Sequence, residues 1–470
     1  MSIDSLAPSV CMDRIGLSGM QLERWLGMLD GRGVSGDLFF QRAWHEELAM
    51  EQGRINGGRH TIGSGAGIRA SLDVGGGSRF ASSSSLATRD VDKACSVVAG
   101  SVDPETEEPP PFQTTRTREH QTEIEDRISM LYELNEYACK GDIEVSEVAM
   151  SLAGACEDIL IADTSGLLVA DHRPQTQFRC DVTVQYHGLV GRGGAGAGGR
   201  TTYAALHDAG GMHKALDAAK RMAVAQMLAK PTPQGRIPVI FAPGWNGMLL
   251  HETVGHFLEA DSMQANTSAF AGKIGSRVAS ELVNVFDDGT LPGLWGTSRI
   301  DDEGQEAGRV CLVERGVLKA VLHNRKTALY DGVRPTGNAR RQSYAHRPIP
   351  RMTNTYLGAG PHSPSEIVAS VDHGIYARTL GRGQVHPVTG RFVFEVIEAY
   401  LIAHGTIGTP IKSFFVSGTA VDFLRGITMI GNDLEMDPGV GRCRKHGQTV
   451  TVGVGQPTIR IDDLDIAGAP

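Results

Sequence analysis

The chain has 470 residues, 41% of them apolar and 21% charged, with a formal net charge of −9. That length exceeds what one core usually serves and the apolar content fills two, so a two-domain globular protein is expected and a disordered one is excluded. The mildly acidic balance argues against nucleic acid or anionic lipid as partner.

The first residues, MSIDSLAPSVCMDRIG, hold no basic region followed by an apolar run, and nowhere do 18 uninterrupted apolar residues occur. A cytoplasmic protein without membrane contact is therefore expected. Cys11, Cys95, Cys139, Cys156, Cys180, Cys311 and Cys443 are odd in number and lack CxxC spacing, which argues against a disulfide framework.

A short amphipathic stretch carries Leu22, Leu26, Met28 and Leu29. Residues 37–70 then alternate apolar and polar side chains about a turn at Asn56-Gly57-Gly58, the pattern of antiparallel strands. A helical period follows over 88–98, and the acidic, proline-rich DPETEEPPPF at 103–112 reads as an extended connection. Beyond it come a helix over 123–139, strand-like runs at 158–161, 166–170 and 178–186, and a long helix over 212–228. Helix, strands, helix thus occurs twice, a sign of internal duplication.

Prolines at 231 and 233 end the last helix, because proline disfavours helix at its own position and just before it. The predicted division is an N-terminal α+β domain, 1–230, with helices packed on an antiparallel sheet, and a C-terminal domain, 231–470. The latter opens with an apolar strand at 237–242 and continues through β-type runs at 310–313, 391–395 and 449–454. The predicted class is α+β, with a mostly β second domain carrying one critical helix.

That helix holds LLHETVGHFLEAD at 249–261, with Glu252 beside His251, and His256 five residues after the first histidine. In a regular α-helix, residues four apart lie about 40° around the axis and residues five apart roughly 140°. Two ligands at this spacing need a π-type widening or a break at Gly255, and such bulges are frequent at functional sites. A catalytic zinc takes three protein ligands, so a third must come from elsewhere. Cys443, in the glycine-punctuated GVGRC turn at 439–443, offers an exposed thiol, although spacing alone leaves it one of seven cysteines. An HExxxH string also arises by chance among 16 histidines, so the local pattern leaves both a metal site and plain surface histidines open.

Four long strings resolve that ambiguity. LLHETVGHFLEAD at 249–261, VASELVNVFDDGTLPGLWGTSRIDDEG at 278–304, PTGNARRQSYAHRPIPRMTNTY at 335–356 and GVGRCRKHGQTVTVGVGQPT at 439–458 resemble the TldD/PmbA family of metallopeptidases, and the likeness extends over nearly the whole chain. The resemblance implies one zinc ion per chain held by His251, His256 and Cys443, with Glu252 activating the metal water for attack on a peptide carbonyl. The PmbA (TldE) branch generally lacks these groups, so the resemblance is to the TldD branch. It further implies a two-subunit assembly with a PmbA/TldE-like partner, a homodimer being the alternative. The expected substrate is an unfolded or flexible peptide, gripped as an added β-strand through main-chain hydrogen bonds. A dedicated maturation hydrolase and a non-catalytic scaffold subunit are the other readings, and the complete metal set argues against the scaffold.

Two departures from the family pattern bear on specificity. The usual HGLEGD stands here as His256-Phe257-Leu258-Glu259-Ala260-Asp261, and Arg444 and His446 replace a glycine and an acid around the lysine that follows the cysteine. Bulk at Phe257 and basic groups at Arg444 and His446 point to an anionic or carboxylate-ended substrate. His346 and Tyr344, in RRQSYAH, are candidate substrate-binding donors.

Residues 191–200, GRGGAGAGGR, contain a formal GxGxxG, but no βαβ unit follows directly, so a loop at the rim of the substrate channel is expected rather than a phosphate site. Neither GxxxxGK[ST] nor GxSxG is present, which removes nucleoside triphosphatases and serine hydrolases.

Overall fold

The computed structural model describes residues 7–30, 34–72, 77–100, 124–141 and 143–468. The predicted connection at 103–112 lies outside them.

Six antiparallel strands form the first sheet: β1 (Val34–Glu51), β2 (Arg54–Leu72), β3 (Ser78–Ser83), β4 (Glu144–Asp163), β5 (Leu168–Tyr186) and β6 (Leu189–Gly199), in the order β3-β2-β1-β4-β5-β6. Helices α1 (Pro8–Ile15), α2 (Gly19–Leu29) and α3 (Thr88–Val98) belong to the first three strands, and α4 (Ile124–Cys139), α5 (Tyr203–Asp208) and α6 (Gly211–Leu228) to the second three. The repeat read in the sequence is thus two helix–strands–helix units, joined where β1 and β4 pair from Asp37↔Asp163 to Glu51↔Ala149.

Because side chains alternate along a strand, the even-numbered Leu38, Phe40, Leu48 and Met50 of β1, with Met150, Leu152, Leu160 and Ala162 of β4, are buried under the helices. On the opposite face Phe39, Ile159 and Ile161 pack against Ile300 and Tyr344 of the C-terminal half. Ion pairs reinforce this contact: Arg173 Nη1 to Asp302 (2.6 Å), Arg69 Nη1 to Glu303 (2.5 Å) and Arg325 Nη1 to Asp163 (2.9 Å).

Three expectations are corrected here. The β1–β2 hairpin turns at Gln52 and Gly53, with φ of 49° and 71°, while Asn56-Gly57-Gly58 lies inside β2. Two successive left-handed residues are what a two-residue hairpin turn requires. The runs at 158–161 and 178–186 are parts of only two long strands, β4 and β5, and the run at 166–170 straddles the turn between them and the start of β5. The glycine-rich 191–199 is no loop but most of β6, paired with β5 from Tyr186↔Leu189 to Thr176↔Gly199. Its glycines let backbone approach backbone: a Cβ on Gly191 would lie 2.0 Å from the Ala223 carbonyl oxygen of α6, and one on Gly193 would lie 2.1 Å from that of Ala219.

The C-terminal half contains a closed five-stranded barrel. Its strands are β7 (Gly235–Phe241), His373–Val385, Arg391–Ala403, Phe414–Thr419 and Ile459–Gly468, each paired to two others in the ring. Phe241, Phe392, Phe394, Phe414 and Phe423 belong to the core it shares with the flanking elements. A second, six-stranded sheet runs beside it, with Val285–Asp288 and Asn354–Leu357 at its centre. The segment leaving β7 enters the helical turns that carry the histidine motif.

Candidate metal centre

The turns after β7 change pitch twice: an α-turn Gly247–Leu250, a π-helical turn His251–Gly255 and a 3₁₀ turn His256–Leu258. The His256 N–H bonds the carbonyl of His251, the i→i+5 link that the five-residue spacing called for. Thr253 Oγ1 donates back to the Leu249 carbonyl at 2.6 Å, a bond that competes with regular helix. A Cβ on Gly255 would stand 1.9 Å from Met352 Sδ, so a larger residue there has to displace that buried side chain. The widened turn sets the two imidazoles face to edge, with centroids 5.1 Å apart and planes at 81°.

Cys443 comes from a different element, the hairpin Arg442–Lys445/Gln448–Thr451. Its two-residue turn is His446-Gly447, both at positive φ. The thiol is buried in a strand rather than exposed in a turn, because the hairpin folds back onto Arg351 and the histidine segment. Sγ lies 3.2 Å from His256 Nε2, and one ligand atom from each of His251, His256 and Cys443 falls within 4.8 Å of the others.

Opposite charges are paired around this cluster. Burial pushes the Cys443 thiol upward, but the two imidazoles outweigh it and hold the thiol well below its ordinary range. Burial likewise opposes charge on His256, yet Glu259 and Cys443 raise it well above the ordinary value. Glu259, buried but faced by His256 and Lys445, is held down at about 2. Its Oε2 is 3.1 Å from His256 Nδ1 and 2.9 Å from Lys445 Nζ, which also reaches Asp261 at 2.6 Å.

Both ring nitrogens of fully buried His251 lack a hydrogen-bond partner among the described residues. An orphaned buried polar group of this kind carries a cost on the order of 1–3 kcal/mol. Two nitrogens and a thiolate are an accepted zinc donor set, so these residues fit a bound divalent metal. The Glu252 carboxylate, 31% exposed, stands 4.0 Å from His256 Nε2 on the open side.

The family model of the PmbA/TldA metallopeptidase central domain matches residues 118–227, and that of the C-terminal domain matches residues 234–468. The chain belongs to the PmbA/TldD metallopeptidase family. A Buchnera aphidicola protein named metalloprotease TldD homolog is 38% identical over 447 residues, 92% of each chain. A Haemophilus influenzae protein of the same name is 37% identical over 445 residues, again 92% of each. TldE of Thermococcus kodakarensis shares the fold, with a TM-score of 0.75 and 18% identity over 95% of this chain and 100% of its own.

The residues singled out as departures from the PmbA/TldD pattern sit apart from one another. Phe257 is buried in the core with its ring edge toward Phe270, 6.1 Å away, so its bulk is directed into packing. Arg444 and His446 are exposed on the hairpin. The ring of Tyr344 is buried between the halves, where a Cβ on Gly65 would meet it at 2.4 Å. His346, half-buried, has Nδ1 3.0 Å from Ser343 Oγ. Its loop is tied to the cysteine hairpin where Gln448 Nε2 donates to the Arg347 carbonyl at 3.0 Å.

Sequence reasoning missed Arg351, Glu259 and Lys445. Glu259 was readable in principle, three residues after His256 on the same turn. Arg351 and Lys445 give no local signal, because each meets the cluster only through the fold.

Proposed function

We propose that the chain is a zinc-dependent peptidase of the TldD kind that hydrolyses peptide bonds in unfolded or flexible chains in the cytoplasm. His251, His256 and Cys443 would hold the zinc. The observation that carries this reading is the orphaned pair of nitrogens on His251, buried within 4.8 Å of a second imidazole and a cysteine sulfur with Glu252 alongside.

Zinc supplies Lewis acidity in such a site, polarising a carbonyl and making a water acidic near neutral pH. Glu252 takes the proton from the attacking water and later returns it to the leaving amine. Glu259 holds His256 through Nδ1, leaving Nε2 turned toward Cys443. The expected partner is a PmbA/TldE-like chain. The common fold of this chain and TldE supports an assembly of like-shaped subunits.

Metal content by mass spectrometry tests the ligand set. The His251→Ala/Cys443→Ala double variant is expected to carry one zinc per chain fewer than the wild type, and equal metal in both would overturn the assignment. The proton-transfer role is tested by Glu252→Gln. It should keep the metal and lose about 10²–10⁴-fold in cleavage of an unstructured peptide, assayed with and without the partner.

A further inference from the structure

We propose that Glu133, His207 and His213 form a second site for a divalent cation of the zinc class, on the helical face of the N-terminal half. The three side chains come from α4, α5 and the first turn of α6. His207 Nε2 is 2.8 Å from Glu133 Oε2, and His213 Nε2 is 3.3 Å from Glu133 Oε1. One ligand atom from each lies within 4.8 Å of the other two.

Both imidazoles offer the same nitrogen to the same carboxylate. Four-coordinate zinc with bonds of about 2.0–2.1 Å has ligand atoms roughly 3.3 Å apart; the His213–Glu133 separation matches this and the His207–Glu133 separation, 2.8 Å, is shorter. His207 Nδ1 lies 3.6 Å from the exposed Asp208 Oδ1, beyond hydrogen-bond distance, so the ring nitrogen that faces Glu133 is the one tied down.

The rings are also held in place. His213 is edge-on to Tyr137 at 4.7 Å and 86°, and the Tyr137 hydroxyl donates to Asp217 at 2.9 Å. His207 sits on a helix whose first turn is capped by Thr202. Glu133 is half exposed, which leaves room for water to complete the coordination. Two imidazoles and a carboxylate suit zinc, nickel or copper and not magnesium or calcium. A cation there joins α4, α5 and α6 into one unit, so its role is structural, and its exposure makes it the weaker of the two sites.

The test titrates zinc into the chelator-treated full chain against a chromogenic chelator, with the heat-denaturation midpoint followed in parallel. The wild type should take up two equivalents and the His207→Gln/His213→Gln variant one. The His251→Ala/Cys443→Ala variant should also take one, and its midpoint should still rise on zinc addition. That rise should vanish when Glu133→Gln, an exposed change that spares the fold, is added. Two equivalents in the His207→Gln/His213→Gln variant, or a zinc-induced rise that survives Glu133→Gln, would overturn the proposal. Failure of the His251 cluster to bind zinc bears on the peptidase reading and leaves this site standing.

Discussion

Arg351, with no exposed surface, donates from Nη2 to both the carbonyl oxygen and the sulfur of Cys443, at 2.7 and 3.0 Å. A guanidinium stays charged at any physiological pH, so the donor is fixed before any metal arrives. It fixes the position of the sulfur, which lies 3.2 Å from His256 Nε2. Its own buried charge is faced by Glu259, whose Oε1 lies 4.0 Å from Arg351 Nε.

Replacing Arg351 with methionine should weaken zinc binding about 10–100-fold, the usual consequence of losing a group that orients a ligand. Lysine keeps the charge but not the fork and should recover only part. Chelator competition on the purified chain measures both, and wild-type affinity in Arg351→Met would reduce the guanidinium to a packing element.

Glu259→Gln should act through His256. The amide can keep an acceptor toward Nδ1, but the charge that faces His256 and Lys445 is lost. Zinc affinity should again fall about 10–100-fold, with the fold intact by circular dichroism. An unchanged affinity would mean that the His256 ring is held by its turn alone.

Gly193→Ala tests the strand that composition disguised. The added Cβ would meet the Ala219 carbonyl oxygen at 2.1 Å and the Ala223 nitrogen at 2.6 Å, so α6 has to move. Overpacking of this kind costs about 1–3 kcal/mol, readable as a lower urea midpoint. A neutral result would show that α6 lifts from β6 without loss.

Acid should loosen the contact between the halves. Burial raises Asp302, but Arg173 and Arg341 outweigh it, and Asp163 is lowered despite burial by Ser165, Leu167 and Arg325. Both therefore lie below the ordinary 3.8 in the folded chain. Their contribution is complete above the unfolded value and is lost as pH falls through the folded one. The denaturation midpoint should change little from these groups above about pH 5 and drop below about pH 4. Arg325→Met should shrink that drop, and an identical acid profile in the variant would remove the Arg325–Asp163 pair from the account.

Local periodicity was enough where burial follows a local rule. The helix at 88–98 was legible because Val91, Ala94, Cys95 and Val98 fall on one side and are buried. The π turn was legible because a five-residue histidine spacing cannot share one face of an α-helix. Composition misled where partners decide. Residues 191–199 have little β propensity, and only β5 on one side with α6 above makes them a strand. Cys443 read as exposed because the glycines before it suggest a surface turn, whereas Arg351, 92 residues away, covers it. Turn chemistry sought at Asn56-Gly57 was carried by Gln52-Gly53, a left-handed pair with no asparagine to advertise it.

Gly198 of β6 and Gly439 before the cysteine hairpin meet backbone to backbone. A Cβ on Gly198 would stand 2.6 Å from the Gly439 carbonyl oxygen, one on Gly439 would stand 2.0 Å from that of Gly198, and the Gly198 N–H bonds the Pro438 carbonyl at 2.6 Å. Each glycine is obstructed by main chain, which no substitution at the other can trim away. Neither position therefore has a compensating mutation at its partner. Among descendants of this sequence the two should remain fixed without covarying, so a search for coupled substitutions would miss one of the tightest joints between the N-terminal sheet and the segment that carries Cys443.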